Sequence, residues 1–466
     1  MTTDIPLATQ VAEWVARVTY DDLPEDVIAA TKLRILDVVG LSLAGAETPF
    51  GRSTRAAARA LSPAGSSRLL GSGERVSTAM AAFANAACAQ ALEYDDTHNE
   101  SIVHMSSPSV AAALALAEER PIAGRDAILA IAVGSEISCR AGSVAPGQFH
   151  RLGFHPTGLF APFGVTYLAG RLLGLDAPAM AAAAGICGSL AAGLLECWAD
   201  GTDAKFLHSG WAAHNGIAAA RLARHGVTGP PRILEGRLGL FASHLQDPSV
   251  HRDLGRIVEG LGGEWVSRNS SFKPYPAAHV LHPYVDALLR ARERHRIAPA
   301  DVVSIECPVA AYVVPIVCEP VAEKVAPATQ AHGRVSLQFT LAEALCRGRL
   351  GRRAYQDYRD PDVRALARRV TYRIDPEYPG PGRFKGAVRI TLADGRVIEE
   401  VQEFNRGSVD NPMTEAELRA KFDENAGMLP PDQRRRLVDA IARTETLPDF
   451  AALVDLSIAA TEAIDR

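Results

Sequence analysis

The chain has 466 residues, which is long for a single hydrophobic core, so two domains are expected. Its 47% hydrophobic and 22% charged residues are typical of a globular protein and exclude a disordered, collagenous or coiled-coil chain. A formal net charge of −5 gives no reason to expect nucleic acid or an anionic membrane as a partner. The 7 cysteines are scattered without a CxxC pair, which favours reduced core thiols over a disulfide framework or a zinc site.

The N-terminal segment has an early acid and amphipathic spacing, so a secretory signal peptide is not expected. The longest apolar stretch, residues 180–198, has the length of a membrane span but consists mostly of Ala and Gly and carries Glu196 near its end. A buried helix is the preferred interpretation. With the reduced cysteines, these features predict a cytoplasmic protein.

Helical spacing dominates the first half of the chain. Pro24 stands where a first helical turn tolerates proline, and apolar residues then recur every three or four positions until Gly45. Segments rich in Ala and Leu predict further helices at about 76–93, 108–119, 125–142, 158–173, 177–195 and 209–224. Because these segments are apolar on more than one face, several of the helices should be buried all round.

The pattern changes near residue 265. A helix over 276–296 precedes a β-branched stretch at 302–317, and another strand is expected at 369–374. Two alternating runs flank Asp394-Gly395, the strongest hairpin signal in the chain. Helices are expected between these strands at about 334–348 and 361–369, and the tail returns to helical spacing.

The predicted fold is therefore mainly α, with a large all-helical domain and a smaller α+β domain. The helical domain is expected to contain residues 1–265 and 409–466, because the simplest placement returns the tail to the first helices. Residues 266–408 would then form the α+β domain as an insertion.

Several common cofactor and catalytic motifs are missing from the chain. We find no GxGxxG after a strand, no GxxxxGK[ST] loop, no GxSxG elbow and no HExxH. Together these absences point to a protein that works with no bound cofactor or metal.

One polar segment, Glu93-Tyr94-Asp95-Asp96-Thr97-His98, follows an Ala-rich helix and precedes His104. Its acids, hydroxyl and imidazoles would suit proton transfer or a metal ion. A capped loop at a solvated helix end explains the same residues and is the favoured interpretation when spacing alone is considered.

Three more candidate residues stand beside Gly or Pro. His155, in GFHPTG, opens a predicted helix, where the positive end of the dipole favours the neutral imidazole that acts as a general base. Lys205 lies three residues before His208, on the same helix face, and Lys273 stands in FKPYP. A pocket containing both lysines would suit a carboxylate-bearing substrate, although a solvated surface lysine is the ordinary alternative for each.

Taken in order, EYDDTH, GFHPTG, GTDAKFLHSGWAAHNG, FKPYPAAHVLHPYVDA and RGSVDNPMT resemble the MmgE/PrpD family over almost the whole chain. The resemblance implies an all-helical domain with a smaller α+β lid, an active site between them and a homodimer. It also implies chemistry that needs no cofactor. The implied reactions are dehydration, decarboxylation or epimerisation of small di- and tricarboxylates at a carbon beside a carboxylate.

The resemblance also assigns roles to residues of this chain. His104 and His155 are expected to transfer protons, while Lys205 and Lys273 hold substrate carboxylates and stabilise developing negative charge. His208, His279 and His282 are neighbours for which a structural role in the pocket wall is equally open. The expected substrate-binding residues are Glu93, Asp96, Thr97, His98, His208 and His279.

Two positions depart from the pattern of the family's cis-aconitate decarboxylases. Glu93 replaces an Asp, and its extra methylene moves the carboxylate by about 1.5 Å. Phe339 replaces a Tyr, so a phenolic donor is missing. Both departures argue against cis-aconitate decarboxylation. His98 stands where 2-methylcitrate dehydratases have a Trp, so 2-methylcitrate is not established as the substrate either.

The leading expectation is a cofactor-independent lyase that abstracts a proton beside a carboxylate and eliminates water. The first alternative is an isomerase or epimerase of a substituted succinate-type diacid, with two bases on opposite faces of one carbon. The second is a non-catalytic dimer that only binds carboxylates. The sequence does not separate the first two.

Overall fold

The computed structural model describes residues 5–378, 380 and 382–459. Helices dominate the region before residue 260, as the apolar spacing predicts. The helix predicted over 177–195 ends at Cys187, where a Gly and a Ser follow and the backbone becomes irregular. The α-helices of this region are Leu7–Arg17, Glu25–Ala46, Pro49–Leu61, Thr78–Gln90, Ser106–Ala117, Gly124–Gly142, Gln148–Arg151, Pro156–Leu172, Ala177–Cys187, Cys197–Asp200, Ala204–Arg224 and Leu240–Leu245.

Small residues set how closely these helices pack. A Cβ added to Gly164 would lie 2.0 Å from the carbonyl oxygen of Gly134, so the helices Gly124–Gly142 and Pro156–Leu172 meet backbone to backbone. Both helices are buried along most of their length, as their apolar faces require. None of the described helices has the length and apolar character needed to cross a membrane.

A small four-stranded sheet lies in the C-terminal part of the chain. Its strands, in spatial order, are Val370–Ile374, Val302–Val309, Gly386–Leu392 and Val397–Gln402, with the first pair parallel and the other pairs antiparallel. The predicted hairpin is present, with Gly395 at a φ of 87° in its turn. The helices of this region are His282–His295, Val321–Val325, Gln330–Arg334, Leu337–Arg347 and Pro361–Ala367.

The β-branched stretch predicted at 302–317 is a strand only as far as Val309. Beyond it the chain turns through the short helical segments Ala311–Val313 and Val314–Cys318. The following turns leave Tyr312, Pro315 and Ile316 on a cavity wall.

The tail forms the helices Glu415–Asn425, Pro431–Ala442 and Ala452–Ser457. Their apolar residues, among them Phe422 and Phe450, share one core with Ile35 of the long helix Glu25–Ala46. A separate core lies under the sheet. The fold is thus mainly α with a small sheet in its C-terminal part, while the domain limits stated above stay a prediction.

A short pairing between distant segments positions the candidate site. Thr97–His98 pairs with Ser270–Ser271 in antiparallel fashion, with Thr97 opposite Ser271. This pairing brings the acid-rich segment after Thr78–Gln90 beside Lys273, more than 170 residues later in the sequence.

Candidate active site

A cavity of about 940 Å³ lies between the helical region and the C-terminal region with the sheet. The helical region contributes most of its polar side chains, while Tyr312, Ile316 and Phe384 of the C-terminal region add an apolar wall. Seven residues predicted as site residues line it: Glu93, Thr97, His104, His155, Lys205, Lys273 and His279.

One buried carboxylate bridges the two predicted lysines. Lys205, in the first turn of Ala204–Arg224, donates to both carboxylate oxygens of Glu93, at 2.5 and 2.6 Å. Lys273 donates to Oε1 of Glu93 at 3.2 Å and to its backbone carbonyl oxygen at 3.1 Å. Glu93 is only 4% exposed. Two cations and one anion therefore form a buried cluster with a net positive charge.

This arrangement shapes the ionisation of the cluster. Burial by itself would raise the pKa of Glu93, but Lys205 and Lys273 together hold that pKa far below its usual value. Burial lowers the pKa of Lys273, and the negative charge of Glu93 opposes this effect. An ammonium has three donors, and these contacts use two on each lysine. Among the contacts of the described residues, one N–H on each lysine is left for an anionic ligand.

His104 is oriented by backbone and carboxylate groups. Its Nδ1 lies 2.9 Å from the carbonyl oxygen of Asp96, which can only accept, so we assign the proton to Nδ1 and leave Nε2 to exchange a proton with a ligand. Asp95 Oδ1 lies 3.3 Å from the same nitrogen. Burial would raise the pKa of Asp95, but His104 lowers it overall, so a negatively charged carboxylate lies beside the His104 ring.

His155 has a different environment. It precedes Pro156 at the start of a helix, and its ring centroid lies 5.6 Å from that of His104. Burial, and then the positive charge of Lys205, lower the pKa of His155 well below its usual value. Its Nδ1 lies 3.0 Å from Nδ1 of His208, so one of the two nitrogens must donate and the other accept. His155 is therefore a neutral imidazole whose tautomer depends on that of His208.

Three predicted binding residues lie behind the cavity wall. Asp96 accepts from Ser106 Oγ at 2.5 Å and lies 3.7 Å from Arg34 Nε. His98 is fully buried, with its Nδ1 2.8 Å from Ser101 Oγ. His208 reaches the cavity only through His155. Direct contact of these three side chains with a ligand stays a prediction.

His279 lies on the wall and His282 lies behind it. The Asn405 side-chain amide donates to Nε2 of His279 at 2.8 Å, and the ring of Phe384 packs against that imidazole. His282 donates from Nε2 to the carbonyl oxygen of Ala277, and its ring contacts that of His279. His282 thus supports an imidazole of the wall from the core side.

Two aromatic residues that the sequence analysis did not identify, His150 and Trp198, pack together on the wall. The rings of His150 and Trp198 pack edge to face with centroids 4.9 Å apart and both line the cavity. Burial, and then Lys205, lower the pKa of His150 to about 4. The only signal in the sequence was its position five residues before His155, which did not separate it from other histidines.

Phe339 does not line the cavity. Its side chain is completely buried in the core under the sheet, and its ring stacks on Tyr355 with centroids 6.2 Å apart. The departure from the family's Tyr at this position therefore changes the core of the C-terminal region rather than the described wall.

A cavity of this size that holds paired imidazoles and a lysine–glutamate cluster has the groups that acid–base chemistry on an anionic ligand requires. Family models account for both parts of the chain: the MmgE/PrpD N-terminal domain matches residues 9–253 and the MmgE/PrpD C-terminal domain matches residues 275–446. The chain belongs to the MmgE/PrpD family, which confirms the resemblance seen in the sequence.

Curated relatives cover nearly the full length of the chain. Cis-aconitate decarboxylase from Aspergillus terreus is 28% identical over 475 residues, spanning 97% of this chain and 95% of the relative. The cis-aconitate decarboxylases from Mus musculus and Homo sapiens are each 26% identical and span 93% of this chain, and 90% and 91% of their own lengths. Together with the family, these relatives support an enzyme of the lyase class.

Proposed function

We propose that this protein is a lyase that uses no cofactor and acts on a small di- or tricarboxylate by proton transfer at a carbon beside a carboxylate. The observation that carries the proposal is the pair of imidazoles on one cavity wall, one neutral and one beside a charged Asp, next to the lysine–glutamate cluster. The free N–H groups of Lys205 and Lys273 would hold a substrate carboxylate and stabilise negative charge on the adjacent carbon.

Elimination of water uses both imidazoles. His155 accepts the proton as the C–H bond breaks, and the released electron pair becomes the second bond of a C=C. The C–O bond to the hydroxyl group breaks in turn, and His104 protonates the departing oxygen to give water. The lowered pKa of His155 keeps its imidazole neutral at neutral pH, which is the state that can accept a proton.

Decarboxylation is the second candidate, and the names of the relatives favour it. The C–C bond to a carboxylate breaks, carbon dioxide leaves, and the electron pair that stays on carbon takes a proton from His104. This route needs the lysines and a proton donor but no base, so it leaves His155 without a chemical role. Epimerisation would instead use both imidazoles on opposite faces of a carbon and needs no leaving group.

Proton NMR in D2O distinguishes these reactions. The panel contains citrate, 2-methylcitrate, malate, cis-aconitate and aspartate-derived diacids. New vinylic signals from a hydroxylated acid would establish elimination, and conversion of cis-aconitate with release of carbon dioxide would establish decarboxylation. Loss of an α-proton signal without a vinylic product would show epimerisation. Binding without turnover of any compound would contradict the lyase proposal and leave a carboxylate-binding protein.

Matched variants link turnover to the site. His155→Asn should abolish elimination, while His225→Asn, at an exposed helix end, should leave it unchanged. Equal activity in both variants would contradict a base at position 155. If decarboxylation is the reaction, His104→Asn rather than His155→Asn should cause the larger loss.

The homodimer and the cytoplasmic location also stay proposals. Sedimentation equilibrium of the purified chain would show a mass twice that of one chain if the homodimer forms. A monomer at micromolar concentration would contradict this expectation.

A further inference from the structure

The turn that holds Glu93 is surrounded by cations from three distant parts of the chain. Arg334 Nη1 donates to the carbonyl oxygen of Leu92 at 3.0 Å. Lys273 Nζ donates to the carbonyl oxygen of Glu93 at 3.1 Å, and Lys421 Nζ to that of Tyr94 at 2.9 Å. Three consecutive carbonyl groups are therefore each bound by a different positive side chain.

Burial makes this arrangement costly. Arg334 is 3% exposed and Lys421 is 5% exposed. A buried charge normally requires a partner of opposite charge. Among the described residues no carboxylate lies within ion-pair distance of Arg334, whose other neighbours are the carbonyl oxygen of Pro276 and the ring of Tyr355. Glu93 and Asp203 act on this guanidinium only from beyond ion-pair distance, so its placement needs an explanation beyond direct charge pairing.

Lys421 comes from the tail helix Glu415–Asn425. It forms an ion pair with Asp37 Oδ1 at 2.7 Å, and its ammonium lies 4.1 Å from the centre of the Tyr94 ring. The hydroxyl group of Tyr94 donates to the carbonyl oxygen of Pro274, next to Lys273. The tail and the FKPYP segment thus hold the same turn from different sides.

The backbone of Glu93 is in the left-handed region, with a φ of 54°. For a residue with a long side chain this conformation is strained and persists only where its surroundings enforce it. Rotation of Glu93 to a right-handed conformation would turn the flanking carbonyl groups away from Arg334 and Lys421. The same rotation would move its carboxylate away from the ammonium groups of Lys205 and Lys273.

We propose that Arg334 and Lys421 are positioning residues for Glu93: they fix the carbonyl groups of its two neighbours, Leu92 and Tyr94, and thereby aim its carboxylate at Lys205 and Lys273. Neither residue lines the cavity, so each acts through Glu93 rather than by touching the ligand. The C-terminal region and the tail therefore set the geometry of the anion site. The inference rests on the proposed function only in taking the ligand to be a polycarboxylate.

The first test measures affinity for tricarballylate, a saturated tricarboxylate, by isothermal titration calorimetry. Arg334→Met and Lys421→Met should each raise the Kd about tenfold, because the two ammonium groups lose their fixed orientation. Lys421→Arg should recover most of the affinity. In Lys421→Met the buried Asp37 need not stay charged, because burial has already raised its pKa to about 6.

Arg140→Met is the matched control. Arg140 is an equally buried cation that donates to the carbonyl oxygens of Arg256, Glu259 and Glu264, away from the turn. This variant should lower thermal stability but change the Kd for tricarballylate less than twofold. An equal loss of affinity in all three Met variants would indicate general destabilisation and overturn the proposal.

A double-mutant cycle tests whether the effect passes through Glu93. In a Glu93→Gln background, Arg334→Met should change the Kd less than twofold, whereas additive losses would overturn the proposal. If a Met variant does not fold, Arg334→Lys and Lys421→Arg enter the same cycle. The cycle is repeated as urea unfolding without ligand, where Arg334 and Glu93 should be coupled and Arg140 and Glu93 additive. If tricarballylate does not bind the wild type, the proposed function fails, and the unfolding cycle still decides the positioning role.

Discussion

The charge on Glu93 should control both stability and anion binding. Glu93→Gln keeps the size of the side chain and removes its charge. Lys205 and Lys273, which donate to the carboxylate at 2.5 and 3.2 Å, would then lose the negative charge that lies between them. The net charge of the buried cluster rises by one unit.

Two estimates give the size of the effect on folding. Removing one partner of a buried ion pair costs about 3–5 kcal/mol. Two unit charges 3.2 Å apart, the distance from Lys273 Nζ to the carboxylate, attract by about 5 kcal/mol at an effective dielectric constant of about 20. The free energy of unfolding at pH 7 should therefore fall by about 3 kcal/mol or more.

The pH dependence has a definite sign. The folded-state pKa of Glu93 lies far below the ordinary value of 4.5, so its stabilising effect is present above about pH 4.5 and is lost as the pH falls further. The stability difference between wild type and Glu93→Gln should thus shrink in acid. The pKa of Lys273, already lowered by burial, should fall further in the variant. Proton loss from Lys273 would then weaken anion binding at a lower pH in the variant than in the wild type.

Urea unfolding from pH 7 to 3.5, and titration with tricarballylate from pH 7 to 9, measure these two effects. Glu136→Gln is the matched control, because Glu136 is another buried acid paired with a cation, Arg140, and does not line the cavity. It should lower stability without altering the pH dependence of binding. The prediction is wrong if Glu93→Gln is as stable as the wild type at pH 7. It is also wrong if the pH profile of binding in the variant superimposes on that of the wild type.

Three further predictions follow from the same geometry. His98 and His282 are fully buried with pKa values of about 4 and 3, below the unfolded value of 6.5, so the unfolded state binds more protons in acid. As the pH is lowered from 6.5 to 4, the free energy of unfolding should fall by up to about 1.4 kcal/mol per pH unit for each histidine. Urea midpoints that stay constant over this range would contradict this prediction. Phe339→Tyr should lower stability by about 1–3 kcal/mol in calorimetry, because it buries a hydroxyl group in the core, and it should leave the product unchanged. A change of reaction would show that this position does reach the substrate. His208→Asn should lower kcat by about tenfold to a hundredfold with little change in KM, because it removes the partner that sets the His155 tautomer. An effect on KM alone would indicate that His208 binds the ligand instead.

Most of the helices, the hairpin and the family could be predicted from the amino-acid sequence alone. Apolar spacing and turn residues act over a few positions, so Glu25–Ala46 and the Asp394-Gly395 turn could be predicted without tertiary contacts. Two elements were predicted to be longer than they are: a strand to residue 317 and a helix to residue 195. In both, the sequence stays apolar beyond the point where the backbone hydrogen bonds of the element stop. The motifs also named Lys205 and Lys273 before any distance was available.

Which polar groups face the cavity depends on tertiary contacts. Adjacent side chains of an extended segment point to opposite sides, so Thr97 lines the wall while His98 lies behind it, a choice that depends on pairing with Ser271. The bridging role of Glu93 likewise depends on cations that are distant in the sequence. Lys205 and Lys273 bind its carboxylate, and Arg334 binds the carbonyl oxygen of Leu92. Such contacts have no periodicity in sequence, because burial and charge pairing are satisfied in space and not along the chain.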